Sequence, residues 1–278
     1  MAAHTALVLG SGGVTAAAWQ AGMIAGMADL GLDLDAERVI GTSCGALVAA
    51  RLTAGCDPQD CAEMLAAPLA WLRPIPWTAP LRRAFVQLHP SHRHAVQAVG
   101  RSAIRDWTPQ WQAVRIEQLA ADLVGVPWPT SLVIVATNAV TGRPAYFTAR
   151  EPIDVATAVA ASWAVAGTLP AVRVGSEWYL DGALRSPLNA DVASGAASVI
   201  MLAPLGRAGD VAGCVRRQAQ GLRSGSSVVR LIRPDRASRV AMALEADLGR
   251  GVGATMAAGR NQGQCYGAQF AGQWPGLG

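Results

Sequence analysis

The chain has 278 residues and a charged fraction of 15%, which gives length enough for one substantial core and predicts a single large domain. All 23 basic residues are Arg, so chemistry that needs a lysine amine (a P-loop lysine, a Schiff base, a kinase-type lysine) is excluded. The net charge of +4 lies wholly within residues 68–130, where seven Arg face Asp106, Glu117 and Asp122, and without a recognisable motif it predicts no nucleic-acid partner.

Residues 1–28 carry no formal charge, but no basic segment precedes the apolar run and Gly10-Ser11-Gly12-Gly13 breaks it, so a secretory signal is rejected. Thr5 to Leu9 reads as a strand, the glycines as a loop, and Ala16 to Leu30 as a helix of small residues. Arg38 to Ile40 gives a second strand and Cys44 to Thr53 an Ala-rich helix stopped at Gly55. Two strand-loop-helix units in succession predict a parallel α/β sheet.

The segment from Pro68 to Pro129 holds Trp71, Trp77, Trp107, Trp111 and Trp128 and no convincing strand; it reads as an inserted helical cap. Ser131 to Ala136 and Arg143 to Thr148 are a β-branched strand and its partner, and Asp154 to Trp163 is a helix closed before Gly167 and Pro170. The Ala-rich, uncharged stretch Val155 to Val172 fits a buried helix better than a membrane span. Ala171 to Val174 and Glu177 to Leu180 form a hairpin, and Ser198 to Leu202 and Ser227 to Ile232 are buried strands around a helix at Val211 to Leu222. Ala237 to Phe270 reads as one or two helices broken around Gly249 to Gly253. The five cysteines (Cys44, Cys56, Cys61, Cys214, Cys265) are odd in number and unpaired in spacing, which argues against a disulfide framework or a zinc site and for a reducing, cytoplasmic setting.

Gly41-Thr42-Ser43-Cys44-Gly45 matches G-x-S-x-G between a strand and a helix, the context that presents a serine hydroxyl as a nucleophile at the C-terminal edge of a sheet. Gly12 and Gly13, after the first strand, would bring backbone N–H groups to the same edge and suit an oxyanion hole. A dinucleotide loop competes for those glycines, but G-x-G-x-x-G requires Gly where Thr15 stands. The base cannot be lysine, and of the four histidines His4 lies near the N-terminus while His89, His92 and His94 lie in the cap, none at a strand end. Asp181, after the apolar Tyr179-Leu180 and before Gly182, has that position, which favours a Ser-Asp dyad. The histidine cluster has no Cys or paired carboxylate beside it and reads as a solvated loop, with no metal or other cofactor implied.

These motifs, together with Thr137-Asn138, Thr141-Gly142-Arg143-Pro144, Ala161-Ser162 with Pro170, and Asp181-Gly182 with Asn189, stand in an order that resembles the bacterial patatin-like phospholipases. The resemblance covers Ala6 to Gly55 and Leu132 to about Leu205, with a weaker likeness around Ala258 to Gly263. It implies an α/β three-layer sandwich with a mainly parallel central sheet, helices on both faces and the inserted helical cap. It also implies an ester or phospholipid substrate, Ser43 as nucleophile, Asp181 as general base, Gly12 and Gly13 as oxyanion hole, and Gly41 and Gly45 as the glycines of the nucleophile elbow. Ser11, Thr15, Ala16, Cys44 and Ala183 depart from the family pattern without removing a reacting group. Two rivals stay open: an acyltransferase using the same dyad, and a catalytically impaired lipid- or protein-binding module. For residues 68–130 two readings also stay open, peripheral contact with an anionic lipid surface and an ordinary helical insertion with inward Trp and solvated Arg. The sequence leaves oligomeric state undetermined.

Overall fold

The structure, a computed structural model, describes residues 4–32, 34–57, 60, 86, 88–205, 213–248 and 252–270. In chain order these form β1 (Thr5–Leu9), α1 (Gly13–Ala28), β2 (Arg38–Thr42), α2 (Cys44–Thr53), α3 (His92–Arg105), α4 (Pro109–Ala120), β3 (Leu132–Asn138) and β4 (Pro144–Phe147). There follow α5 (Val155–Ser162), β5 (Val172–Val174), β6 (Glu177–Asp181), β7 (Ser198–Leu202), α6 (Cys214–Ser224), β8 (Val228–Ile232), α7 (Arg236–Leu248) and α8 (Gly253–Phe270).

The strands make one sheet in the order β5-β6-β3-β2-β1-β7-β8, with β4 also paired to β3. From β3 through β8 the neighbours run parallel, whereas β4 and β6 pair antiparallel with β3 and β5 antiparallel with β6. Every residue of β1 and of β7 is buried, as expected of strands covered on both faces.

Alternate residues of each strand enter different cores. Leu7, Leu9, Val39, Ile134, Ile200 and Leu202 face a large cluster with α1, α2 and α5, while Ala6, Val8, Ile40, Val135, Val199 and Met201 face a smaller one with Ala190, Ala193 and α6. The result is a three-layer α/β architecture with helices on both faces.

The Ala-rich sequence lets helices approach one another closely. A Cβ on Gly22 of α1 would lie 2.2 Å from the Met256 carbonyl oxygen, and one on Gly263 of α8 2.3 Å from that of Met23, so α1 and α8 touch backbone to backbone. Arg260 clasps Asp29 at 2.7 Å across the same contact, and hydrogen bonding to Arg260 holds the Asp29 carboxyl down at about 2.

β1, α2 and β7 have the expected bounds; others differ. Helix α1 starts at Gly13, taking in residues assigned to the glycine loop, with no side-chain cap at its first turn. Strand β6 runs through Asp181 rather than stopping before it, since Asp181 still pairs with Ala136 of β3. Of segment 68–130, residues 88–130 are described and contain α3, α4 and a 3-10 turn at Ala121–Leu123. Trp71, Trp77, Arg73, Arg82 and Arg83 lie outside the described residues, as do Cys61 and the break at 249–251.

Candidate active site

Strand β2 hands the chain to α2 through Ser43, whose backbone adopts φ 59° and ψ −125°, a conformation costly for a residue with a Cβ. The flanking glycines serve close approach. A Cβ on Gly41 would fall 2.4 Å from the Ala46 Cα, and one on Gly45 2.3 Å from the Leu9 carbonyl oxygen. The turn thus packs against the end of β1 and holds Ser43 at the C-terminal edge of the parallel strands.

Ser43 Oγ donates to Asp181 Oδ2 at 2.8 Å, and both residues are buried, 3% and 6% exposed. The other carboxylate oxygen, Oδ1, accepts from the Ala183 N–H at 2.7 Å. The Asp181 N–H donates to Ala164 O at 2.9 Å, and its carbonyl accepts from Thr137 Oγ1 at 3.1 Å. Ser43 N–H donates to Ser162 Oγ at 2.8 Å, and Ser162 in turn donates to Val135 O at 2.6 Å. The sequence-derived pair is therefore within hydrogen-bonding distance and fixed on both sides.

The glycine loop is held by a side chain. Gln20 of α1 accepts from the Gly10 N–H at 2.8 Å and donates to the Gly10 carbonyl at 3.0 Å, while Ser11 N–H donates to Pro187 O at 2.9 Å. Gly13 has φ 80°, which favours glycine. Cys44 is buried beneath this loop. Burial and the Asp181 charge push its thiol up to about 12, against hydrogen bonds from the backbone N–H groups of Gly13, Gly12 and Gly45. A thiol that stays protonated at neutral pH is a packed side chain and a poor nucleophile.

Asn189, with φ 50°, links the two halves of the site. Its Nδ2 donates to Thr42 Oγ1 and Gly182 O, each at 3.2 Å, and to Ser186 O at 2.9 Å. Thr42 precedes Ser43 and Gly182 follows Asp181, so one buried amide braces both chain segments. Three of the histidines have other partners: His4 pairs with Glu37, and His89 and His94 with Ser91. Among the described residues no group of three or more His, Cys, Asp or Glu is placed to hold a metal ion, and no helix is long and apolar enough to cross a membrane.

Residues 7–194 match the model of the patatin-like phospholipase family. The chain belongs to that family. Membership brings with it a general activity, hydrolysis of acyl esters of lipids. No curated protein matches the chain. Among solved structures, VipD from Legionella pneumophila is 12% identical, with a TM-score of 0.45, over 94% of this chain and 67% of VipD. The type III effector protein ExoU is 18% identical, with a TM-score of 0.38, over 95% of this chain; the chain spans only 53% of ExoU.

Four residues in or beside the site of this patatin-like protein carried no sequence assignment of a role: Gln20, Ser162, Asn189 and Arg115. The one available signal for Arg115 was its position on α4, four residues after Trp111 and four before Leu119, on the face that packs inward.

Proposed function

We propose that the protein hydrolyses a carboxylic ester of a lipid through Ser43 and Asp181. The observation that supports this most directly is the 2.8 Å hydrogen bond from the Ser43 hydroxyl to the Asp181 carboxylate, formed at a strained strand-to-helix turn that projects the serine to the sheet edge. In the forward step Asp181 takes the Ser43 proton as Oγ attacks the ester carbonyl. The resulting oxyanion is taken by N–H groups of the glycine loop at Gly12 and Gly13. Collapse expels the alcohol, which receives the proton from Asp181 and leaves Ser43 acylated. Water, deprotonated by Asp181, then attacks the acyl-enzyme and releases the acid with return of the proton to Ser43.

The expected cap at 68–130 is proposed as the substrate-specificity element on chain order alone: its described part carries α3 and α4, which follow α2 and precede β3 in the sequence. Cys44, Cys214 and Cys265, free thiols among the described residues, support a cytoplasmic setting. A fluorophosphonate probe tests the nucleophile: it should label wild type and miss Ser43→Ala. Equal labelling of the two would overturn the assignment, and a folded wild type that resists the probe would favour a binding module.

A further inference from the structure

The end of α5 delivers three consecutive hydrogen bonds that bear on the dyad. Ser162 Oγ accepts from Ser43 N–H at 2.8 Å and Ala164 O from Asp181 N–H at 2.9 Å. Between them, Trp163 O accepts from Arg115 Nη2 at 3.1 Å. Arg115 comes from α4 and is only 2% exposed. Burial pulls its guanidinium down to about 10, while the Asp181 charge pulls it back up. That attraction is mutual, so the cation favours the ionised carboxylate.

Other titratable groups on the surrounding elements are neutral, paired or exposed. Cys44, on α2, is held neutral. Asp122, in the turn after α4, is engaged by Arg51 of α2 at 2.8 Å and 3.0 Å. Asp106 is exposed and shares with Arg115, Trp111 and Leu169 the wall of a groove of about 630 Å³.

We propose that Arg115 is a positioning residue for the dyad: from α4 it pins the turn that holds Ser43 and Asp181 and supplies the positive charge that keeps Asp181 ionised as a base. The proposal rests on the reading of Ser43 and Asp181 as the reacting pair. It makes the strength of the base depend on the seating of a helix outside the sheet. The groove offers a competing role, in which Arg115 would contact an anionic group of the substrate.

The rate of Ser43 labelling by an uncharged fluorophosphonate, followed against pH, separates these. In Arg115→Gln, which keeps donors for the Trp163 carbonyl, and in Arg115→Met, the acid limb should move up by about one pH unit. In Arg115→Lys, which keeps the charge, the limb should stay while the plateau falls. A folded Arg115→Gln whose plateau falls with its limb unmoved would overturn the proposal, as would a rise in KM confined to anionic lipid esters. If Arg115→Met does not fold, Arg115→Gln and Arg115→Lys decide; equal limb shifts in those two would also overturn it. A folded wild type left unlabelled is a distinct result, since it removes the Ser43 reading itself.

Discussion

Asn189 ties together the chain segments on either side of the dyad. Its amide donates to a hydroxyl and two carbonyls, of which the Thr42 hydroxyl also donates to Leu188 O and the Gly182 carbonyl also accepts from backbone N–H groups, and Arg185, itself paired with Asp191, donates to its Oδ1 at 2.8 Å. Asn also tolerates the left-handed backbone it adopts there. Asn189→Ala should lose about 3 kcal/mol in urea unfolding, from the lost hydrogen bonds, that of Arg185 included, and the strained φ together. Asn189→Gly should recover about 1 kcal/mol of that, because it relieves the backbone alone. Equal losses would show that the backbone contributes nothing. At this scale legibility divides by cause. Ser43 and Asp181 could be read because their chemistry fixes both residue type and glycine surroundings. Asn189 was visible only as part of a motif order, and Gln20 and Arg115 not as site residues at all, since their roles depend on which helix face meets which strand end.

Among the helices, α1 and α8 are joined by absence of side chain. Gly22 and Gly26 lie against Met256 and Arg260 backbone, and Gly259 and Gly263 against Trp19 and Met23. Trp19 Nε1 also donates to Gln262 Oε1 at 3.0 Å across the contact. Two glycine substitutions should therefore have opposite signs. Gly22→Ala overpacks and should cost about 1–3 kcal/mol. Gly221→Ala, on an exposed face of α6 with no atom within 4 Å of the added methyl, should stabilise by about 0.5–1 kcal/mol. Thermal unfolding of both variants checks the pair; a destabilised Gly221→Ala would contradict the close-approach account. The sequence showed α1 and α8 as helices but not as partners, because hydrophobic periodicity is silent where a contact is built from Ala and Gly. It located α2 from Cys44 to Thr53 because the elbow before it and Gly55 after it are local signals.

For the whole molecule, a parallel α/β sheet could be anticipated but its order could not. The two neighbours of β1 are β2, which follows it, and β7, some 190 positions on, and nothing local encodes a pairing of that range. The antiparallel return of β6 onto β3, which carries Asp181 to Ser43, is equally non-local.

The family match ends at residue 194, whereas β7 begins at Ser198 and pairs along all of β1. A chain stopped at 194 would turn an inner strand of the sheet into an open edge, with backbone groups from Thr5 to Leu9 facing water or another molecule. Such a fragment should pellet or elute as large aggregates on gel filtration under conditions where the full chain does not. The length over which kinship is detectable and the length that stays in solution are then different properties of this polypeptide, and the second is set by strands that contribute no reacting group.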